Sequence, residues 1–96
     1  MRTPATVLLT PSEEQVVPID QVMLSWSPVE TAVQYVVELN NETTGSEFMF
    51  QIFPPATSLA VPAHFLQAGS EYQFAVGVKT ATGNITFVET TFFTAP

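Results

Sequence analysis

The chain has 96 residues, 46% of them hydrophobic and 11% charged, which is material for one folded core and leaves no room for a second domain. Two basic residues, Arg2 and Lys79, stand against nine acidic ones, and the formal charge of −7 argues against a phosphate backbone or an anionic lipid surface as partner. There is no cysteine, which excludes a disulfide framework and any thiolate metal site.

The opening residues, MRTPATVLLT, contain no signal-peptide core, and no apolar run approaches the length of a membrane span. No membrane insertion is expected, and an exported form would carry its signal outside this sequence. Arg2-Thr3-Pro4 at one end and Thr94-Ala95-Pro96 at the other resemble interdomain linkers, so ordered structure is expected over about 4–95. The eight prolines are scattered, and no window repeats its apolar positions at helical spacing.

Period two recurs instead. After a first strand over Thr6 to Leu9, the residues Val22, Leu24 and Trp26 alternate with Gln21, Met23, Ser25 and Ser27, and Ser27-Pro28 ends the run. Tyr35, Val37 and Leu39 then alternate with Gln34, Val36, Glu38 and Asn40, and the turn Asn40-Asn41-Glu42-Thr43-Thr44-Gly45 follows. From Ser46 to Phe53 apolar residues occupy both phases. Either Phe48, Phe50 and Ile52 enter the core while Met49 and Phe53 pack under a loop, or the outward phase is a docking or self-association edge.

Pro54-Pro55 closes that run, and Ser58 to Val61 makes a short strand. The clearest strand carries Tyr72, Phe74, Val76 and Val78 on one face and Glu71, Gln73, Ala75, Gly77 and Lys79 on the other. In the last strand, Ile85 to Thr94, Glu89 falls in phase with Ile85, Phe87 and Phe93. Burying that carboxylate would be costly, so a bulge or a change of partner is expected near Glu89.

Seven short strands without a helix predict an all-β, antiparallel two-sheet sandwich, with a barrel as the alternative. At this point the chain, from Pro4 to Pro96, resembles a fibronectin type III domain, a member of the immunoglobulin-like superfamily. Val22-Met23-Leu24-Ser25-Trp26-Ser27-Pro28 looks like that family's second strand with its buried tryptophan, and Tyr35-Val36-Val37-Glu38-Leu39 looks like its third. Leu66-Gln67-Ala68-Gly69-Ser70-Glu71-Tyr72 is similar to its tyrosine corner, where a phenol hydrogen-bonds the backbone upstream as the chain crosses between sheets.

Immunoglobulin domains keep their tryptophan on the third strand beside a disulfide, so Trp26 and the absence of cysteine favour the fibronectin-like branch. Ala68 stands where the family often has proline, and Val61-Pro62-Ala63-His64-Phe65 lengthens the crossing. The resemblance implies a core built from Val22, Leu24, Trp26, Tyr35, Val37, Leu39, Leu66, Tyr72, Phe74, Val76 and Val78.

Catalytic chemistry finds little support. His64 is the only histidine, the serines include no GxSxG elbow, and the glycines are too dispersed to cradle a phosphate. The carboxylates form no calcium loop, and Glu13-Glu14 would need further ligands from elsewhere. No cofactor, metal or enzymatic activity is expected. Two sequons, Asn41-Glu42-Thr43 and Asn84-Ile85-Thr86, fall at expected turns or strand starts, where a glycan has room.

The expectation is therefore a non-catalytic module of a larger secreted, cell-surface or periplasmic protein, a spacer between neighbouring domains or a protein-binding unit. Partner-binding candidates are Lys79, Thr80, Thr82 and Asn84, on the loop that presents recognition residues in the resembled family, and Met49 and Phe53 on the edge. The loop has no RGD tripeptide, so integrin binding is not implied. The alternative is an accessory carbohydrate-binding domain of a glycan-degrading enzyme, which would need exposed planar aromatics where Trp26, Tyr35 and Tyr72 point inward by phase.

Overall fold

A computed structural model describes residues 5–96. Arg2-Thr3-Pro4 lies outside the described residues. Eight strands follow one another: β1 (Leu8–Thr10), β2 (Val16–Val17), β3 (Met23–Trp26), β4 (Ala32–Asn41), β5 (Glu47–Ile52), β6 (Ser58–Ala60), β7 (Glu71–Thr80) and β8 (Ile85–Thr94). Two single-turn 3-10 segments, Ile19–Gln21 and Ala63–Phe65, are the only helical pieces among the described residues, each following a proline that presets its entry.

The strands form two sheets, one ordered β1-β3-β6 and the other β2-β8-β7-β4-β5. The larger sheet curls toward a half-barrel. Between the sheets lies one core, in which Leu24, Val37, Leu39, Phe74, Val76, Val78 and Phe92 are fully buried. β4 and β7 are its spine: their register runs from Ala32 opposite Thr80 to Asn41 opposite Tyr72, interrupted by one shift between Ala32 and Gln34. Alternation explains why they sit centrally, since each presents an unbroken apolar row to the core.

Three expectations are corrected. The expected seven strands are eight, and the sandwich is not antiparallel throughout, because β2 pairs with β8 in parallel, Val16 opposite Phe93 and Val17 opposite Thr94. The cause is the turn after β1. Glu14 adopts a positive φ of 62°, which turns the chain so that Glu14 N–H donates to the Thr91 carbonyl at 2.7 Å and the Gln15 carbonyl accepts from Phe93 N–H at 2.8 Å. The chain thereby leaves the smaller sheet for the edge of the larger.

Second, β8 has no bulge at Glu89. Its pairing with β7 runs without a shift from Glu71 opposite Phe93 to Lys79 opposite Ile85. The carboxylate stays exposed because the whole phase faces outward, carrying Ile85 and Phe87 with it, while Phe92 and Thr94 are buried on the other face. Gly77 lies opposite Phe87, and a Cβ there would come within 2.6 Å of the Phe87 ring. The ring covers the bare backbone of the glycine, which gives an apolar side chain a reason to face out.

Third, Met49 and Phe53 do not pack under a loop: they are 65% and 60% exposed. The other phase of β5 does turn inward, where Phe48 and Phe50 stack on Phe65 at centroid distances of 5.4 and 6.2 Å. Phe65, delivered by the 3-10 turn, covers the inward phase of β5, and no packing covers Met49 and Phe53 on the outward side.

Candidate binding surfaces

The segment from Leu66 to Tyr72 fastens one pole of the sandwich. Gln67 N–H donates to Tyr72 Oη at 2.8 Å, and the Gln67 carbonyl accepts from Thr94 Oγ1 at 2.5 Å, so two side-chain hydroxyls satisfy both polar groups of that peptide residue. Thr94 Oγ1 also accepts from Ser70 N–H at 2.9 Å, and Gly69, at φ 66°, makes the turn between them. Tyr72 stacks on Phe92 at 5.6 Å and is fully buried, so it has no surface to offer a ligand.

Tyr35 does related work at the other pole, where its hydroxyl accepts from Val29 N–H at 3.1 Å. Its ring lies 5.5 Å from that of Trp26, whose indole N–H is buried without a partner among the described residues. Val22, Leu24, Trp26, Tyr35, Val37, Leu39, Leu66, Tyr72, Phe74, Val76 and Val78 are all buried in the single core. Every tyrosine and the tryptophan are thereby withdrawn from solvent.

Lys79, Thr80, Thr82 and Asn84 come together at the tip of the β7–β8 hairpin. Thr80 N–H donates to the Asn84 carbonyl at 3.1 Å and Gly83 N–H to the Thr80 carbonyl at 2.9 Å, with Gly83 at φ 88°. The Thr80 and Thr82 hydroxyls pair with each other at 2.9 Å. This is a short turn that satisfies itself, with Ala81 to Asn84 exposed. Met49 and Phe53 lie on β5 and just beyond its end: β4 stands between β5 and β7, which carries Lys79 and Thr80, so Gln34 separates Phe53 from Lys79 by two strand spacings, about 10 Å. The structure does not join the two groups into one site.

The two sequons differ. Asn84 is exposed, whereas Asn41 is buried: its Oδ1 accepts from Thr43 and Thr44 N–H at 2.8 and 2.9 Å, closing the turn, and its Nδ2, the atom a glycan would need, is fully covered. Room for a glycan at Asn41 is therefore an expectation the fold overturns, because the side chain is spent on capping its own turn.

His64 meets the Phe65 ring edge-on at 4.6 Å on the exposed 3-10 turn. Among the described residues no three His, Asp or Glu side chains converge as metal ligands would. What sequence reasoning missed is the set of exposed apolar residues at the other edge of the large sheet, Val16, Ile85 and Phe87, with Val7 and Leu9 beside it at the start of β1 in the smaller sheet. The signal was Glu89 itself, since a strand phase that contains a carboxylate is more economically turned outward than bulged. No protein-family model matches the chain, and no curated protein matches it either.

Proposed function

We propose that the chain is a fibronectin-type-III-like module that serves as a non-catalytic spacer and protein-interaction unit in a larger secreted, cell-surface or periplasmic protein. The fold assignment is supported by the strand orders β1-β3-β6 and β8-β7-β4-β5, by Trp26 on the strand preceding β4, and by the Tyr72 bond to Gln67. In that reading β2 is an accessory piece of the first strand that has crossed to the other sheet.

One observation carries the spacer role. Thr6 Oγ1 donates to the Ser27 carbonyl at 2.6 Å, on the connection that enters β4 at Ala32, opposite Thr80 and the hairpin tip. Ala95 and Pro96 lie at the opposite pole, against Gly69. Chain preceding Thr6 and chain following Pro96 would depart from opposite ends of a body 43 Å long and about half as wide, 21 by 19 Å. Modules strung through such a body are held apart by its length.

Spin labels at Ala5→Cys and Pro96→Cys test this, since the chain has no other cysteine. A narrow distance distribution near the 43 Å long axis is expected. A broad distribution, or a mean near the 21 Å width, would overturn the spacer role. The carbohydrate-binding alternative finds Trp26, Tyr35 and Tyr72 all buried, and binding of the domain to a glycan array would reinstate it.

A further inference from the structure

Most of β8 is paired on one side only. Its odd-numbered residues aim their N–H and C=O groups away from β7: the Thr91 carbonyl accepts from Glu14, and Phe93 N–H donates to Gln15. By the two-residue period, Ile85, Phe87 and Glu89 present their backbone groups on the same side. β2 reaches only Phe93 and Thr94, so among the described residues no strand covers the row from Ile85 to Glu89.

Sheet edges of soluble proteins are usually guarded by charge, proline or a covering loop. This one carries Glu89 but also sets apolar side chains beside its open backbone groups. Ile85 and Phe87 are 43% and 44% exposed on the strand itself, and Val7 and Leu9 are 63% and 52% exposed across the opening. Between β1 and β8 runs a groove of about 440 Å³ lined by Val7, Leu9, Pro11, Glu13, Val88 and Glu89. Backbone groups without partners and a groove beside them that offers both apolar side chains and carboxylates are what an added amphipathic strand requires.

Charge selects the occupant. A second copy would set −7 against −7 and bring Glu13, Glu14 and Glu89 toward their own images. Among the described residues Lys79 is the only lysine or arginine, and it sits on β7 opposite Ile85, at the end of the row away from Glu89 and on the side away from the open edge. Glu89 is oriented on the outer face by Gln73, whose Nε2 donates to its Oε2 at 3.0 Å. We propose that the β8 edge accepts an extended, cationic segment of another protein by strand addition, with apolar residues beside Ile85 and Phe87 and a lysine or arginine beside Glu89.

The pairing rests on the domain being a protein-interaction unit, and its test is separable from that of the spacer role. The probe is a blocked peptide, Thr-Lys-Thr-Val-Thr-Val-Thr for antiparallel addition and its reverse for parallel addition, titrated into the isotope-labelled 96-residue chain. Amide shifts are expected at residues 85–91 and 7–13, with hydrogen exchange at Phe87 and Glu89 slowed on the order of tenfold or more at saturation. Glu89→Lys, at an exposed position, is expected to weaken the lysine peptide on the order of tenfold and to favour the version with glutamate in place of lysine.

Absence of shifts, equal binding of the lysine and glutamate peptides, or shifts centred on Met49 to Phe53 or on the hairpin tip would overturn the proposal. So would shifts at the β8 amides on concentrating the chain alone, which would make a second copy the occupant. The distance between the Ala5 and Pro96 labels, measured in the same samples, reports on the spacer role whichever way the titration falls.

Discussion

β7 and β8 are neighbours of equal length, ten residues each, and both alternate, yet they use alternation in opposite ways. In β7 the apolar row Tyr72, Phe74, Val76 and Val78 faces the core, and the row Glu71, Gln73, Ala75, Gly77 and Lys79 lies on the outer face. In β8 the inward row is Thr86, Val88, Thr90, Phe92 and Thr94, while Ile85 and Phe87 stand on the outer face with Glu89. Hydrophobicity alone marks a strand in both cases, but it identifies the buried face only in the first. What decides β8 is its neighbour: Gly77 leaves bare backbone on the outer face of β7, and Phe87 lies over it.

The contrast can be broken most forcefully at its centre. Phe74→Ala, in the inward row of β7, is expected to cost about 3 to 5 kcal/mol by loss of buried area and creation of a cavity. Phe87→Ala, in the outward row of β8, should cost about 1 kcal/mol or less, since that ring is already half in water. Urea midpoints for the two variants measure the difference, and comparable losses would place Phe87 in a core.

The junction of the two strands gives the next largest effect. Tyr72→Phe leaves Gln67 N–H without its acceptor and is expected to cost about 1 to 3 kcal/mol. An unchanged midpoint would mean that Thr94, which holds the carbonyl of the same residue and comes from β8, secures the corner by itself.

Gly77→Ala sharpens the comparison directly, because the added methyl would sit 2.6 Å from the Phe87 ring and 2.9 Å from Ile85. A loss of about 1 to 2 kcal/mol is expected in the parent, and most of it should vanish in a Phe87→Ala background. A loss that persists there would trace to β7 itself and not to the cover supplied by β8. Smallest is Phe53→Ser, beyond the end of β5: at 60% exposure it should shift stability by no more than about 0.5 kcal/mol. A larger loss would mean that Phe53 is packed like the inward phase of its strand.

Much of the core was legible beforehand, for a local reason: Leu24 and Trp26, Tyr35, Val37 and Leu39, and Tyr72 to Val78 each form an apolar row bounded by polar residues, and such a row has only one inexpensive face to bury. The Leu66 to Tyr72 spacing carried its own meaning, because a glycine turn followed by an inward tyrosine can satisfy the turn it has just made. The candidate surfaces were less legible. Lys79, Thr80, Thr82 and Asn84 were found because a hairpin tip is a local object, whereas the open side of β8 is defined by where β1 and β2 go. Asn41 looked like an exposed turn residue and is buried because its side chain closes that turn.

That this chain folds as strands around a disulfide-free core follows from period two, scattered proline and apolar content, all of them properties of neighbouring residues. Which sheet each strand joins, the turn at Glu14 that lays the chain parallel to β8, and the shared outward phase of Ile85, Phe87 and Glu89 are settled by packing in three dimensions. Those outcomes depend on contacts between residues far apart in the chain. Gly77 on β7, Thr94 on β8 and the turn at Glu14 each act through partners distant in the chain, and no stretch read alone contains them together.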